Sequence, residues 1–185
     1  GFREDVITLI SKAEGLPNDR APLSLPKGRQ YYDYGPHLAD YLGEFRHDVL
    51  VQHDCFVVGE APFVDVDKAR MLTRGPWESR LLDMIFGFEH MEADCLFTEY
   101  IPLPFSPRRF MRALSRWQEG LHGVGWNALY LENHDHPRVI SRYGSERYRR
   151  ESGSMLACAY LFLEGTPFVY QGQEIGMTNI LLQSI

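Results

Sequence analysis

Short apolar runs that stop at polar residues alternate along this chain with longer stretches of helical periodicity. Asp5-Val6-Ile7 leads into a stretch that reads as helical to Lys12, and a loop rich in Pro and Gly follows from Gly15 to Gly35. Leu38, Tyr41, Leu42, Phe45 and Val49 recur at helical spacing and predict an amphipathic helix over 37–49. Cys55-Phe56-Val57-Val58 is a continuous apolar run ending at Gly59-Glu60, the pattern of a strand covered on both faces. Residues 65–73 read as helix, and Leu81 to Phe88 is a second apolar run, ending at Glu89-His90. Ser106-Pro107 supply an N-cap and a first turn for a helix running to Gly120, its predicted C-cap. Asn127 to Leu131 predicts a strand that ends in Glu132-Asn133-His134-Asp135. A long helix is predicted from Ser145 to Glu164, closed by Gly165, and a last strand from Thr166 to Tyr170.

Strand, loop and helix repeat in the rhythm of parallel βαβ units, so the fold class is α/β. A doubly wound sheet and a (β/α) barrel both fit. Chemically capable residues fall just past the ends of several different strands: Asp5, Glu60, Glu89, His134 and Asp135. Barrels build their active sites from those ends, which favours the barrel. No Gly-rich phosphate loop follows any of the strands, which weakens the nucleotide-binding alternative.

Composition narrows the function classes. The 185 residues carry a net charge of −6, which argues against a nucleic-acid partner. No stretch approaches the ~20 apolar residues of a membrane span, so no membrane association is expected. Aromatic residues make up 13%, which suits sugar recognition and a large core equally well. Cys55, Cys95 and Cys158 match no zinc pattern, and Cys55 and Cys158 sit in apolar runs and read as buried thiols. A reducing, cytoplasmic setting is the simpler expectation. The chain opens on Gly1-Phe2-Arg3 without an initiator Met, so the lack of a leader at this position is uninformative.

Each strand-end acid has a structural reading. Asp5 suits a helix cap, Glu60 a solvated loop and Asp135 a turn before Pro137. Together they suit glycoside hydrolysis. One carboxylate attacks the anomeric carbon and a second gives its proton to the leaving oxygen; about 5–5.5 Å between them means retention of configuration. A cation such as Arg3 favours an ionised nucleophile, and the apolar strand before Glu60 favours a protonated acid. A third carboxylate with a His steadies positive charge in the transition state.

The chain resembles the α-amylase superfamily, glycoside hydrolase family 13, over nearly its whole length. Gly1-Phe2-Arg3-Glu4-Asp5-Val6-Ile7, Val58-Gly59-Glu60 and Asn133-His134-Asp135-His136-Pro137-Arg138 are similar to that family's motifs on the fourth, fifth and seventh barrel strands, in family order. Glu14-Gly15-Leu16-Pro17, Phe88-Glu89-His90-Met91, Gly125-Trp126-Asn127 and the segment from Gly165 to Asn179 are similar to oligo-1,6-glucosidases and dextran glucosidases. The resemblance implies Asp5 as nucleophile, Glu60 as acid/base and Asp135 as transition-state stabiliser. It implies Arg3 positioning Asp5, His134 contacting the sugar, and Phe88 and Arg138 lining the site. For Phe88 plain core and for Arg138 a surface ion pair are the alternatives. Val6 after the nucleophile goes with α-1,6 preference in this group, and Glu89 reads as structural. His136 stands where the group usually shows Gln and Glu4 where it shows an apolar residue; on an alternating strand Glu4 points away from the site.

The implied fold is a partial (β/α)8 barrel, approximately strands 4 to 8 over residues 1–185, without the earlier strands and the C-terminal β-domain; a whole barrel takes ~250 residues. The implied substrate is a short α-1,6-linked oligosaccharide, with trehalose-6-phosphate hydrolase as the near alternative. A non-catalytic relative such as an amino-acid-transporter heavy chain is disfavoured by the presence of all three acids. The mechanism requires no cofactor and no catalytic metal, and no acidic loop is dense enough to argue for structural calcium. Open barrel edges predict self-association, and an incomplete sugar pocket predicts little or no activity of the chain alone.

Overall fold

The computed structural model describes residues 1–15, 17–20, 26–96 and 98–180, which form two compact units, Gly1–Asn127 and Ala128–Ile185. Of the loop predicted between Gly15 and Gly35, residues 16 and 21–25 lie outside the described residues.

The first unit is built on a parallel sheet of three strands, β1 (Phe2–Glu4), β2 (Val57–Glu60) and β3 (Met84–Phe86), in the order β1-β2-β3. Arg3 lies opposite Val58 and Glu4 opposite Gly59, while Gly59 faces Ile85 and Glu60 faces Phe86. Side chains alternate along a strand. Arg3, Val58, Glu60 and Phe86 therefore share one face, and Glu4, Val57, Gly59 and Ile85 share the other. Val57 and Ile85 join Leu42, Leu50, Leu72, Leu82, Trp117 and Leu121 in the core. A Cβ on Gly59 would stand 2.6 Å from Leu82 Cδ1, so only glycine admits Leu82 against the strand there.

α1 (Leu38–Phe45) continues as a π-helical turn over Arg46–Leu50. Its buried stripe is Leu38, Leu42, Arg46 and Leu50, four residues apart, whereas Tyr41, assigned to the apolar face from sequence, is exposed. α2 (Val66–Thr73) is capped by Asp65, which accepts from the Lys68 N–H at 2.8 Å. An antiparallel hairpin that the sequence did not predict, β4 (Cys95–Leu96) with β5 (Thr98–Pro102), follows β3. α3 (Pro107–Leu121) starts as expected, with Ser106 Oγ accepting from Arg109 N–H. It passes through Gly120, whose absent Cβ would stand 2.1 Å from Val66 Cγ1. Gly120 is thus a close-packing point between α2 and α3 rather than a C-cap; the chain leaves the helix at His122 and turns with Gly123 at φ +68°.

The second unit pairs β6 (Ala128–Leu129) with β7 (Thr166–Pro167) in parallel, and carries α4 (Val139–Arg142) and α5 (Arg149–Leu161). Both strands and the long helix are shorter than their apolar runs suggest. Ser145 lies in the turn before α5, where its N–H donates to Ser152 Oγ. Leu156 and Tyr160 form the buried side of α5, which leaves Cys158 exposed and corrects its reading as a buried thiol; Cys55 is half-buried. The helix predicted from Asp5 to Lys12 is replaced by a single 3-10 turn, Ile7–Leu9, because Val6 adopts φ 38° and ψ 43°. Among the described residues no helix is long and apolar enough to cross a membrane.

Candidate active site

The C-terminal ends of β1, β2 and β3 lie along one edge of the parallel sheet. Asp5 is the first residue beyond β1, Glu60 the last of β2, and Phe88 stands two residues beyond β3. Arg3 reaches from β1 toward both acids: Nη1 donates to Asp5 Oδ1 and Nη2 to Glu60 Oε2. A single guanidinium fork thus spans two carboxylates on the same face, with the directionality of charge-assisted bonds. The two differ in surroundings. The side chain of Asp5 is 70% exposed and that of Glu60 9%.

Val6 is a β-branched residue in the left-handed region, a backbone state that costs about 1–3 kcal/mol. It persists because Ile7 and Thr8 are buried directly after it, turning the chain sharply past Asp5. Phe88 is half-buried, and its carbonyl accepts from Met91 and Glu92 N–H to start a turn. Glu89 is paired with Arg116 and accepts from Trp117 Nε1 at 3.0 Å, which fixes it to α3 in a structural role.

The opposite face of the sheet carries charges that sequence reasoning missed. Arg46 is 1% exposed; its Nε donates to Arg80 O at 2.8 Å and its Nη2 lies 3.2 Å from Asp83 Oδ1. Asp83 also accepts from the Val57 N–H and from Arg80 Nε, both at 2.6 Å. Glu4 faces this side, as alternation along β1 requires. Burial pushes its carboxyl up to about 7, with Arg46 pulling it down and Asp83 raising it. The available signal was an arginine in an otherwise apolar stripe four residues apart.

In the second unit the loop after β6 is held from both ends. Glu132 is buried and accepts from Arg138 Nη1 at 2.7 Å and from Val139 N–H at 2.6 Å. Asn133 Oδ1 accepts from the N–H groups of Asp135 and His136, both at 2.9 Å, closing an Asx turn. His134 Nε2 lies 3.1 Å from Asp135 Oδ2, and both side chains are more than half exposed. Arg138 also donates to Gln171 O at 2.6 Å and lies over the Tyr170 ring, so its partner is a buried carboxylate rather than a surface acid. Glu132 was the missed residue here, an acid closing an apolar run.

The family model for the α-amylase catalytic domain matches residues 1–184. The chain belongs to the α-amylase catalytic-domain family. Within this family it is similar to an oligo-1,6-glucosidase of Halalkalibacterium halodurans, 43% identical over 189 residues, covering 100% of this chain and 33% of that protein. It is also similar to the trehalose-6-phosphate hydrolase of Bacillus subtilis, 43% identical over 182 residues, covering 97% of this chain and 31% of the relative. The crystal structure of the trehalose-6-phosphate hydrolase of Bacillus licheniformis matches with a TM-score of 0.86 at 39% identity, over 96% of this chain and 32% of that one. The chain therefore spans about a third of the length of the curated α-amylase-family relatives it matches. Among the described residues no group of three or more His, Cys, Asp or Glu is arranged to hold a metal ion.

Proposed function

We propose that this chain carries the reacting groups of a retaining α-glucosidase acting on short α-1,6-linked glucosides. The observation that carries the reading is Arg3 bridging Asp5 and Glu60 at the ends of adjacent parallel strands. Asp5, open to solvent, attacks the anomeric carbon and forms the glycosyl ester. Glu60, enclosed in β2, gives its proton to the leaving oxygen and then takes one from the water that cleaves the ester. A sugar ring entering between them parts Arg3 from Glu60 and leaves the guanidinium on Asp5. Asp135 is the transition-state stabiliser, with His134 on the sugar hydroxyls, both carried by the loop that Glu132 and Asn133 brace. Val6 and Phe88 contact the substrate, and Arg138 contributes through the loop it fixes.

β1, β2, β3, β6 and β7 correspond in this reading to barrel strands 4 to 8, and the sugar pocket is only partly built from these residues. The chain alone then shows little or no turnover. It self-associates through the open edge of β1, which carries the exposed ring of Phe2. Sedimentation showing a clean monomer would sink that part.

The test is a chimera in which this chain replaces the matching third of the Halalkalibacterium halodurans relative. Isomaltose turnover that Asp5→Asn and Glu60→Gln each lower by about 10³-fold or more supports the assignment. A folded chimera whose turnover ignores Asp5→Asn overturns it. The similarity to two trehalose-6-phosphate hydrolases favours a second substrate reading. Faster turnover of trehalose 6-phosphate than of isomaltose selects it.

A further inference from the structure

The segment beyond β7 reaches back onto the loop that carries His134 and Asp135. It turns on two left-handed glycines, Gly172 at φ +90° and Gly176 at φ +64°. A Cβ on Gly172 would stand 2.1 Å from Met177 Sδ, so only glycine lets the turn fold this tightly. The turn braces itself: Gln173 N–H donates to Tyr170 O at 2.8 Å, Met177 N–H to Gly172 O at 3.0 Å, and Tyr170 N–H to Gln173 Oε1 at 3.0 Å. Gln173 Nε2 also donates to Tyr160 Oη on α5 at 3.3 Å. Asn179 emerges from this braced turn. Its Oδ1 accepts from Arg138 N–H at 2.8 Å, and its own N–H donates to Ser141 Oγ at 2.9 Å. The first N–H groups of a helix have no partner inside it. At the start of α4 two consecutive ones are taken by side chains from different strand ends: Arg138 N–H by Asn179, beyond β7, and Val139 N–H by Glu132, beyond β6.

We propose that Asn179 is a positioning residue for Asp135, acting through the backbone of Arg138 to hold the His134–Asp135 loop against the turn beyond β7. Asp135 is joined to Arg138 through His136 and Pro137, and the proline ring fixes one of the few free torsions between them. Holding the Arg138 N–H therefore sets where the chain leaves Asp135. Asn133 sets where it arrives, by accepting from the N–H groups of Asp135 and His136. The Arg138 side chain ties the same two strand ends a second time, with Nη1 donating to Glu132 Oε1 and to Gln171 O and the guanidinium lying over the Tyr170 ring. That tie acts at the far end of a long side chain. The backbone itself is anchored by Glu132 and Asn179. The role needs only an acceptor oxygen at position 179, which Asp supplies and an apolar side chain does not. The catalytic consequence rests on Asp135 being the transition-state stabiliser; the anchoring does not.

Amide hydrogen exchange on the full chain tests the anchor. Asn179 is exposed, so substitutions there leave the core intact. Asn179→Leu, close in volume but without an acceptor, is expected to speed exchange at Asp135, His136 and Arg138 by about 10-fold, with the amides of α5 unchanged. Asn179→Asp restores the slow exchange. No acceleration at Asp135 and His136, equal acceleration throughout α5, or an Asp variant that behaves like Leu overturns the proposal. In the chimera, Asn179→Leu is expected to lower kcat for isomaltose about 10-fold with KM changed less than about twofold, and Asn179→Asp to recover it. A raised KM with kcat unchanged overturns the positioning role. Turnover that depends on Asp135 but not on Asn179 sinks Asn179 and spares the enzymatic reading. The expected exchange pattern in a protein whose turnover ignores Asp135→Asn does the reverse.

Discussion

Replacing Asp83 by Asn strikes the group on which the buried charges of the first unit depend. Asp83 is 5% exposed and Arg46 1% exposed, so neither is solvated. Removing one partner of such a pair leaves an uncompensated buried cation, which costs about 3–5 kcal/mol. Asn keeps one acceptor for Val57 N–H or Arg80 Nε but turns an amide donor toward the other, so the expected loss is ~3 kcal/mol or more. Trp77, Trp117 and Trp126 all belong to the unit that contains Asp83. Urea unfolding followed by tryptophan fluorescence therefore reports on the affected region. With a slope of about 2 kcal/mol/M the midpoint falls by ~1.5 M. The loss also depends on pH. Asp83 is one of the groups that raise Glu4, so without it Glu4 ionises more readily and serves as counter-ion to Arg46. The destabilisation is then smaller at about pH 8 than at about pH 5.5, where Glu4 is neutral. A loss below ~1 kcal/mol would refute the view that Arg46 depends on Asp83, and an equal loss at both pH values would refute Glu4 as its second counter-ion.

Glu4 itself makes the first unit less stable as the pH rises from 4.5 to about 7, because the folded state binds its proton more tightly than the unfolded chain. Complete burial would make that ~3 kcal/mol; solvent screening of this half-buried group reduces it to ~1–2 kcal/mol, and Glu4→Gln flattens that part of the stability profile in urea titrations. Gly120→Ala destabilises by ~1–2 kcal/mol despite the gain in helix propensity, since the new methyl meets Val66 Cγ1, and Val66→Ala in the same chain restores the melting temperature. Glu132→Ala leaves Arg138 and the Val139 N–H without their carboxylate, costs about 3–5 kcal/mol in the second unit, and accelerates amide exchange at Asp135, His136 and Val139.

Much of the α/β rhythm was legible because the signals are local. The apolar run from Cys55 to Val58 reads as a strand covered on both faces; the strand forms two residues later, over Val57–Glu60, and is the central one of the sheet. Asp65 and Ser106 cap the helices that their side chains predict. The failures have physical causes. Apolar runs overestimate strands, since Tyr130 and Leu131 are buried without extending the β6–β7 ladder. Gly120 looks like a helix end because glycine suits one, but here it is selected by the approach of Val66. Val6 breaks the helix expected after Asp5 through a backbone state that its side chain disfavours and its buried neighbours enforce.

The sequence by itself determined the family, the order of the three motifs and the placement of Asp5 and Glu60 at successive strand ends, because motif spacing and side-chain alternation are properties of the linear chain. Only the tertiary structure decided that one guanidinium joins Asp5 to Glu60, that Arg46 is buried against Asp83, and that Glu132 braces the loop of His134 and Asp135. Strand register and helix packing bring those groups together from distant positions, and a buried charge is stable only where its partners arrive with it.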